Sequence, residues 1–273
     1  MIPPSFTYLR ASTVDEALEL AAGHGEDAKY LAGGHSLLPL MKLRFAAPAA
    51  LIDLGRVSGL AYIRDEGTYV AVGPMTRHHD VATSESLRQE IPLLARTAEA
   101  VGDPQVRHRG TIGGSVAHGD AASDLPAALL ALEASFVVRG PRGTRTVLAA
   151  EFFRGIFETA LEPGDLLTEI QVPKPAAPRA WSFQKFTKRA LDWAFVGVAA
   201  QGGNVALVNM GTAPLRATAV EAALAAGASP ADAAAHAAEG TSPGSDIHAS
   251  REYREHLARV LVRRALEEAA ARS

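Results

Sequence analysis

The sequence predicts an α+β fold that ends in a smaller second domain, and two observations support this prediction. Short strand-like runs between residues 62 and 172 alternate irregularly with helical segments, which is typical of α+β folds and not of the regular βαβ repeat of a Rossmann domain. Three prolines then fall within residues 173–178 (PKPAAP), and such a segment sustains neither a helix nor a central strand. We therefore expect a linker there, followed by the second domain.

Composition limits the classes of protein that fit this chain. It has 273 residues, of which 48% are hydrophobic, so it can bury a substantial core. Its net charge of -3 and the scattering of arginines among acidic residues predict no nucleic-acid partner. No apolar run is long enough for a transmembrane helix, and residues 1–4 (MIPP) lack the pattern of a signal peptide. We expect a cytoplasmic protein with no integral membrane segment.

The absence of cysteine is a further limit on function. It excludes disulfides, a thiolate nucleophile and a cysteine-ligated iron–sulfur cluster within this chain. If electrons from iron–sulfur clusters matter here, another subunit must carry those clusters.

The N-terminal region is predicted to be a small unit of strands and one helix. Residues 13–16 (TVDE) form a capping box, and the apolar residues that follow recur at helical spacing up to Gly23. Strands are expected at residues 29–32, which run into a glycine pair, and at residues 51–54.

The remaining elements are predicted from apolar periodicity and turn residues. Strands are expected at residues 62–63, 69–72, 135–138, 146–148, 166–172, 180–185, 195–199 and 205–209. Helices are expected at residues 80–84, 92–100, 125–132, 217–226, 230–238 and 250–271. In the last helix, the spacing predicts a buried stripe formed by Tyr253, Leu257, Val260 and Leu261.

Two segments with paired glycines are the strongest functional signal. Residues 32–36 (AGGHS) and 111–115 (TIGGS) each precede an apolar, helix-like stretch. Paired glycines allow a backbone to turn sharply and bring its N–H groups close to an anion, although either pair alone is more often an ordinary turn. Hydroxyl donors at Ser36, Thr111 and Ser115 accompany them. Together the segments predict a phosphate clamp made from two loops.

Two other kinds of site are compatible with parts of the sequence: a serine nucleophile and a metal site. Residues 34–36 could present a nucleophilic serine in a G-x-S-x-G elbow, but Leu38 stands where the closing glycine belongs. Residues 78–80 (HHD) and 118–120 (HGD) could supply ligands for one metal ion. Adjacent histidines on a helix point apart, so we favour surface or capping roles for the first group and a loop-shaping role near a cofactor for the second.

Two charged residues keep two interpretations each. Asp124 precedes an apolar helix, where it can be an N-cap, a carboxylate that accepts a hydrogen bond from a cofactor ring N–H, or both at once. Lys185 lies on a strand between aromatic residues, where it either extends to solvent or directs its charge at a reduced cofactor ring.

These segments also carry a resemblance to a known family. Residues 32–42 (AGGHSLLPLMK), 111–115, 192–195 (DWAF) and 209–216 (NMGTAPLR) resemble the FAD-binding medium subunit of the carbon-monoxide-dehydrogenase and xanthine-dehydrogenase (molybdenum hydroxylase) family. The resemblance spans nearly the whole chain. It implies a PCMH-type FAD-binding domain of two α/β subdomains, followed by a C-terminal domain with a small antiparallel sheet packed on helices. The implied boundaries are residues 1–57, 58–175 and 176–273.

The resemblance also implies which residues contact FAD, and none of them is catalytic or metal-binding. They are Lys29, Tyr30, Leu31, Ala32, Gly33, Gly34, His35, Ser36, Leu37, Val101, Thr111, Gly114, Ser115, Asp124, Leu166 and Lys185. Two departures from the family pattern are visible. Trp193 stands where relatives often have tyrosine beside the flavin, and residues 201–204 (QGGN) form a shorter hairpin than is usual.

Such subunits work beside a large molybdopterin subunit and a small subunit with two 2Fe-2S clusters. The resemblance implies a dimer of such heterotrimers, in which FAD passes electrons from the clusters to an external acceptor such as a quinone, oxygen or NAD. Two alternatives stay open: a stand-alone FAD oxidase of the same superfamily, and a flavin-free structural homologue. Carbon monoxide, an aldehyde, a purine or another N-heterocycle would all be compatible substrates of the complex.

Overall fold

The structure is a computed structural model that describes residues 2–272, and its chain begins with a small parallel sheet. The strands β1 (Thr7–Arg10), β2 (Ala28–Leu31) and β3 (Ala50–Asp53) lie in the order β1-β3-β2. Helix α1 (Val14–His24) packs on this sheet, and the Thr13 hydroxyl caps it by accepting a hydrogen bond from the Glu16 N–H at 3.1 Å. The sequence did not predict β1, because its residues are mostly exposed and show no apolar alternation.

A five-stranded antiparallel sheet forms the centre of the molecule. Its strands are β4 (Ile63–Asp65), β5 (Tyr69–Val72), β6 (Ser135–Gly140), β7 (Gly143–Leu148) and β10 (Leu166–Pro173), in the order β4-β5-β10-β6-β7. A separate hairpin joins β8 (Phe153–Gly155) to β9 (Glu158–Thr159). Strand β10 lies in the middle, so residues far apart in the chain meet across the sheet.

Short helices connect and cover these strands. They are α2 (Leu37–Lys42), α3 (His78–Thr83), α4 (Glu85–Glu90), α5 (Pro92–Glu99), α6 (Pro104–Arg109), α7 (Ile112–His118), α8 (Asp124–Ala131) and α9 (Ala149–Phe152). Every residue of α8 is buried, because it lies between α5 and the C-terminal sheet. Helices α4, α6, α7 and α9 were not predicted from the sequence. Each is too short to show a full apolar period, and α7 contains two glycines, which disfavour helices.

The C-terminal region is an antiparallel sheet packed on helices, as predicted. Its strands β11 (Trp181–Phe186), β12 (Val196–Gln201), β13 (Asn204–Val208) and β14 (Leu215–Arg216) lie in sequence order. The helices are α10 (Thr218–Ala225), α11 (Pro230–Ala235) and α12 (Arg251–Arg272). All of β12 is buried because α12 covers one face and α8 the other. The short hairpin at residues 201–204 turns through Gly202 and Gly203, whose φ angles are 56° and 106°.

The predicted stripe of α12 is partly wrong. Leu257 and Leu261 are buried, but Tyr253 is 42% exposed and Val260 is only half-buried. Arg254 is buried in their place. Its guanidinium donates to the backbone carbonyl of Phe195 and to Asp246, both at 2.6 Å. These hydrogen bonds offset the free-energy cost of burying the arginine charge. That charge was the reason to expect Arg254 on the surface.

Neighbouring regions share residues of the same apolar clusters. Ala199, Ala206 and Val208 of the C-terminal sheet join the same apolar cluster as α5 and α8. Leu166 of β10 joins the cluster beneath the N-terminal parallel sheet. The α+β architecture is thus confirmed, and the three sheets converge around one open cleft. No helix within residues 2–272 is both long and apolar enough to cross a bilayer.

Candidate functional site

The cleft lies where the N-terminal sheet, helices α6 to α8 and strand β11 face each other. Its volume is about 1220 Å³, and both glycine segments line it. All the residues that the resemblance implied as FAD contacts also line it. Residues predicted from segments far apart in the chain are therefore brought to one place, although their contact with FAD stays a prediction.

The first glycine segment packs against the second, and against the two residues that lead directly into it, on one wall of the cleft. A Cβ atom added at Gly33 would lie 2.4 Å from the carbonyl oxygen of Arg109 and 2.9 Å from the Cα of Gly110. One added at Gly114 would lie 3.9 Å from the Cβ of Ala32. Only glycine at position 33 allows this approach, because any side chain would collide with backbone.

The first segment offers backbone donors. Among the described residues, no acceptor receives the N–H groups of residues 33–36. Gly34 has a φ of 79°, in the left-handed region that favours glycine. Successive free N–H groups in a turn of this kind form a concavity that binds anions.

The second segment is helical and not the loop that the sequence predicted. It begins α7, and its N–H groups are already used: Ile112 donates to Thr76, Gly113 to Pro74, and Ser115 to the carbonyl of Thr111, at 2.9–3.1 Å. The Gly114 N–H donates to Thr111 Oγ1 at 3.1 Å. Only glycine fits at these two positions of the helix. A Cβ added at Gly113 would lie 2.3 Å from Pro74, and one added at Gly114 would lie 2.7 Å from Thr111 Oγ1.

The second segment therefore supplies hydroxyl groups to the cleft. Thr111 Oγ1 accepts from Gly114, which leaves its own hydrogen free to donate. Ser115 Oγ lies 3.4 Å from Nε2 of His78. The N–H donors of the first segment and the O–H donors of the second thus line the same cleft, and the phosphate clamp stays a prediction.

Replacing Thr111 by valine is expected to lower the free energy of unfolding by about 1 kcal/mol, because the shape is kept while the N-cap of α7 is lost. Thr111→Ser should keep most of that stability. Urea unfolding of the flavin-free chain, followed by circular dichroism, measures the difference. Thr83→Val is the control, since Thr83 is exposed and caps no helix N-terminus. An unfolding free energy unchanged in Thr111→Val would contradict the capping role.

Asp124 and Lys185 form a buried ion pair at the other end of the cleft. Lys185 Nζ donates to Asp124 Oδ2 at 2.6 Å and to the carbonyl of Ala100 at 3.1 Å. The N-cap interpretation of Asp124 is wrong, because Ser123 holds the N-cap position and Asp124 is the first residue of α8. Extension of Lys185 to solvent is also wrong, since its side chain is only 12% exposed.

The second oxygen of Asp124 has no partner. Oδ1 is buried and receives no hydrogen bond from any described residue. Burial raises the pKa of Asp124 to about 6, against the opposing charge of Lys185. Since buried acceptors are nearly always paired in native proteins, this oxygen is suited to a donor that a ligand brings into the cleft.

The rival hypotheses gain no support from the geometry. The rings of His79 and His108 are tilted by 30° with centroids 4.0 Å apart, and His118 stacks on Phe157 at 4.8 Å. Within residues 2–272, no group of three or more acidic, histidine or cysteine side chains is placed to hold a metal ion. Ser36 caps no N–H group, and no histidine in the described part of the chain is hydrogen-bonded to its hydroxyl.

Two residues that pack against the glycine segments, Gly110 and His78, were not predicted from the sequence. A Cβ added at Gly110 would lie 2.5 Å from the ring of His78, so both residues pack directly behind the second segment. Gly110 precedes the TIGGS motif without interruption, and that adjacency was a usable signal. A surface or capping role was expected for residues 78–80, and for His78 the surface position is wrong, because its side chain is only 4% exposed; no local pattern indicated that burial.

The arrangement fits FAD. Four successive free N–H groups at residues 33–36 and the hydroxyls of Thr111 and Ser115 match the acceptors of a diphosphate. The unpaired oxygen of Asp124 matches a ring N–H or a ribityl hydroxyl. The cleft, at about 1220 Å³, exceeds the usual ligand-pocket range of about 300–1,000 Å³, which suits a dinucleotide.

Comparison with known proteins places the whole chain among relatives. The profile of the FAD binding domain in molybdopterin dehydrogenase matches residues 4–175, and that of the CO dehydrogenase flavoprotein C-terminal domain matches residues 181–269. The carbon monoxide dehydrogenase medium chain of Hydrogenophaga pseudoflava is 42% identical over 285 residues, which cover 100% of this chain and 99% of that relative.

Solved structures agree with the sequence comparison. A chain of reconstituted CO dehydrogenase from Oligotropha carboxidovorans has a TM-score of 0.95 and 40% identity, with 100% of both chains covered. A chain of quinoline 2-oxidoreductase from Pseudomonas putida 86 has a TM-score of 0.91 and 33% identity, with 99% of both chains covered. The fold implied by the resemblance is thereby confirmed over its full length.

Proposed function

This chain belongs to the family of FAD-binding subunits of molybdenum-containing dehydrogenases, and from that premise we propose that it passes electrons from 2Fe-2S clusters of a partner subunit through FAD to an external acceptor. The observation that carries this proposal is the contact between the two glycine segments, which gathers backbone N–H donors and hydroxyl donors on one wall of the cleft. FAD supplies the redox chemistry when it is bound.

The residues of the chain bind and orient the cofactor. The N–H groups of residues 33–36 face the diphosphate, and the hydroxyls of Thr111 and Ser115 close the clamp from α7. Asp124 and Lys185 hold the polar edge of the flavin, with Val101 and Leu166 as apolar neighbours in the same cleft. None of these roles requires a nucleophile or a general base from the protein.

The absence of cysteine supports the assignment of partner subunits. Because it contains no cysteine, cysteine-ligated clusters must lie on another chain. We assign them to a small 2Fe-2S subunit and substrate oxidation to a large molybdopterin subunit, in a dimer of heterotrimers. Relatives of 33–42% identity are named for carbon monoxide and for quinoline, so the shared surface of this chain serves the flavin step and not substrate choice.

Two further predictions remain part of the proposal. The division into residues 1–57, 58–175 and 176–273 is supported by the sheets, since the parallel sheet, the five-stranded sheet and the C-terminal sheet each fall within one of these ranges. A cytoplasmic location is supported by the absence of cysteine, because proteins that work in oxidising compartments commonly rely on disulfides.

The test is co-expression of the chain with the molybdopterin and 2Fe-2S subunits of the same organism. We expect about one FAD per chain, released by acid because no covalent tether is needed, and loss of the visible flavin absorption when substrate is added to the complex. Absence of FAD from both the isolated chain and the complex would refute FAD binding. Oxidation of a substrate by the isolated, FAD-loaded chain would instead show a stand-alone oxidase and refute the partner assignment.

A further inference from the structure

His78 lies behind the clamp and outside the set of residues implied as FAD contacts. Its side chain is buried, with 4% exposure, and its backbone N–H donates to the carbonyl of Gly110 at 3.1 Å. The ring occupies the space that a side chain on Gly110 would need, since an added Cβ would lie 2.5 Å from Cδ2 and 2.6 Å from Nε2. Backbone packing therefore fixes the position of the imidazole.

The two ring nitrogens have different surroundings. Nε2 lies 3.4 Å from Ser115 Oγ, whereas Nδ1 is buried without a partner among the described residues. A neutral imidazole carries one N–H donor and one acceptor nitrogen. Burial lowers the pKa of His78 to about 4, so the ring is neutral at physiological pH. The question is which nitrogen carries the hydrogen.

The unpaired nitrogen answers this question. In native proteins, a buried N–H group without an acceptor is rarer than a buried acceptor without a donor. The unpaired Nδ1 is therefore expected to carry no hydrogen. The hydrogen then lies on Nε2 and faces Ser115. With Oγ accepting from the ring, the serine hydrogen is not used internally and can point into the cleft. The opposite tautomer would bury an unpaired N–H and draw the serine hydrogen away from the clamp.

We propose that His78 is a positioning residue: its Nε2–H donates to Ser115 Oγ and so directs the Ser115 O–H toward a diphosphate oxygen of FAD. This inference rests on the proposed function, because it assigns a role to one donor of the FAD clamp. It makes His78, which is not among the residues implied as FAD contacts, part of cofactor recognition.

A double-mutant cycle tests the proposal. The variants are His78→Met, which has no donor, Ser115→Ala, their combination, and His78→Gln, whose amide N–H reaches the place of Nε2–H. The dissociation constant of FAD is measured by titrating the flavin-depleted complex. His78→Met and Ser115→Ala should each weaken binding about tenfold, and the double variant should be no weaker than either, since coupled residues are non-additive. His78→Gln should stay within about threefold of the original protein.

The outcomes separate the inference from the proposed function. Additive effects, or a loss in His78→Gln equal to that in His78→Met, overturn the positioning role while FAD binding by the original protein stands. If the original complex binds no FAD, both proposals fail.

A second measurement needs neither cofactor nor a folded His78→Met variant. Nitrogen-15 NMR of the flavin-free full chain labelled at histidine reports the tautomer directly, with the His78 signal identified by its absence in His78→Gln. Hydrogen on Nε2 is the expected result, and hydrogen on Nδ1 overturns the inference.

Discussion

Replacing Gly33 by alanine is expected to weaken FAD binding by at least about a hundredfold. The added Cβ would lie 2.4 Å from the Arg109 carbonyl oxygen, so the two glycine segments must move apart. Separation breaks the clamp, because the free N–H groups lie on one segment and the hydroxyls on the other. Loss of two or more hydrogen bonds to an anionic group, each contributing about 1.5–3 kcal/mol, accounts for an effect of this size.

The experiment compares Gly33→Ala with Gly23→Ala. Gly23 is a matched control, because a Cβ there meets nothing within 4 Å and the residue lies inside α1. Gly23→Ala should keep a full content of FAD and be neutral or stabilising, by up to about 1 kcal/mol. FAD is measured per chain after acid release from the purified complex. A normal FAD content in Gly33→Ala would show that the contact between the segments is not needed for the clamp.

The fold was predictable wherever its signal is local. The apolar run that became α8 and the proline-rich linker before β11 needed only neighbouring residues to be recognised. The glycine pairs were recognisable for the same reason, since each lies close to a serine in the sequence. That the second pair lies in a helix with its N–H groups already used was not recognisable locally. The capping box at residues 13–16 likewise predicted the start of α1 correctly.

Features that depend on distant contacts were not predictable. Helix α7 forms despite its glycines. Gly113 is required there because Pro74, which is distant in the sequence, leaves room for nothing larger. Asp124 looked like an N-cap because its partner Lys185 is 61 residues away, and no periodicity links the two. Arg254 looked like a surface residue because its acceptors, the Phe195 carbonyl just before β12 and Asp246 in a loop, lie outside its helix.

The ion pair at the far end of the cleft joins two regions of the chain. Lys185 belongs to β11 of the C-terminal sheet, and Asp124 begins α8, which packs between α5 and that sheet. Both side chains are largely buried, so each charge depends on the other. Removing one partner of a buried pair leaves the other charge uncompensated, which typically costs about 3–5 kcal/mol.

The pH dependence of this pair has a definite sign. Burial raises the pKa of Asp124 from 3.8 to about 6, so the folded chain binds this proton more tightly than the unfolded chain. The contribution of Asp124 to the free energy of unfolding is therefore fully present below about pH 4 and is lost as the pH rises through about 6. At roughly 1.4 kcal/mol per pKa unit, the loss is about 3 kcal/mol.

Lys185→Met is accordingly expected to destabilise the flavin-free chain by about 3 kcal/mol at pH 8 and by only about 1 kcal/mol at pH 5. At pH 5 the Asp124 carboxyl is mostly protonated and needs no counter-charge. At pH 8 the variant must either ionise this carboxyl beside an apolar side chain or keep it protonated, and keeping it protonated costs more free energy as the pH rises. Urea unfolding at both pH values measures the difference. The double variant Asp124→Asn/Lys185→Met removes the titrating group. Compared with Lys185→Met, it should therefore regain the most stability at pH 8. An equal loss in Lys185→Met at pH 5 and pH 8 would mean that packing of the lysine chain, and not its charge, stabilises the junction between β11 and α8.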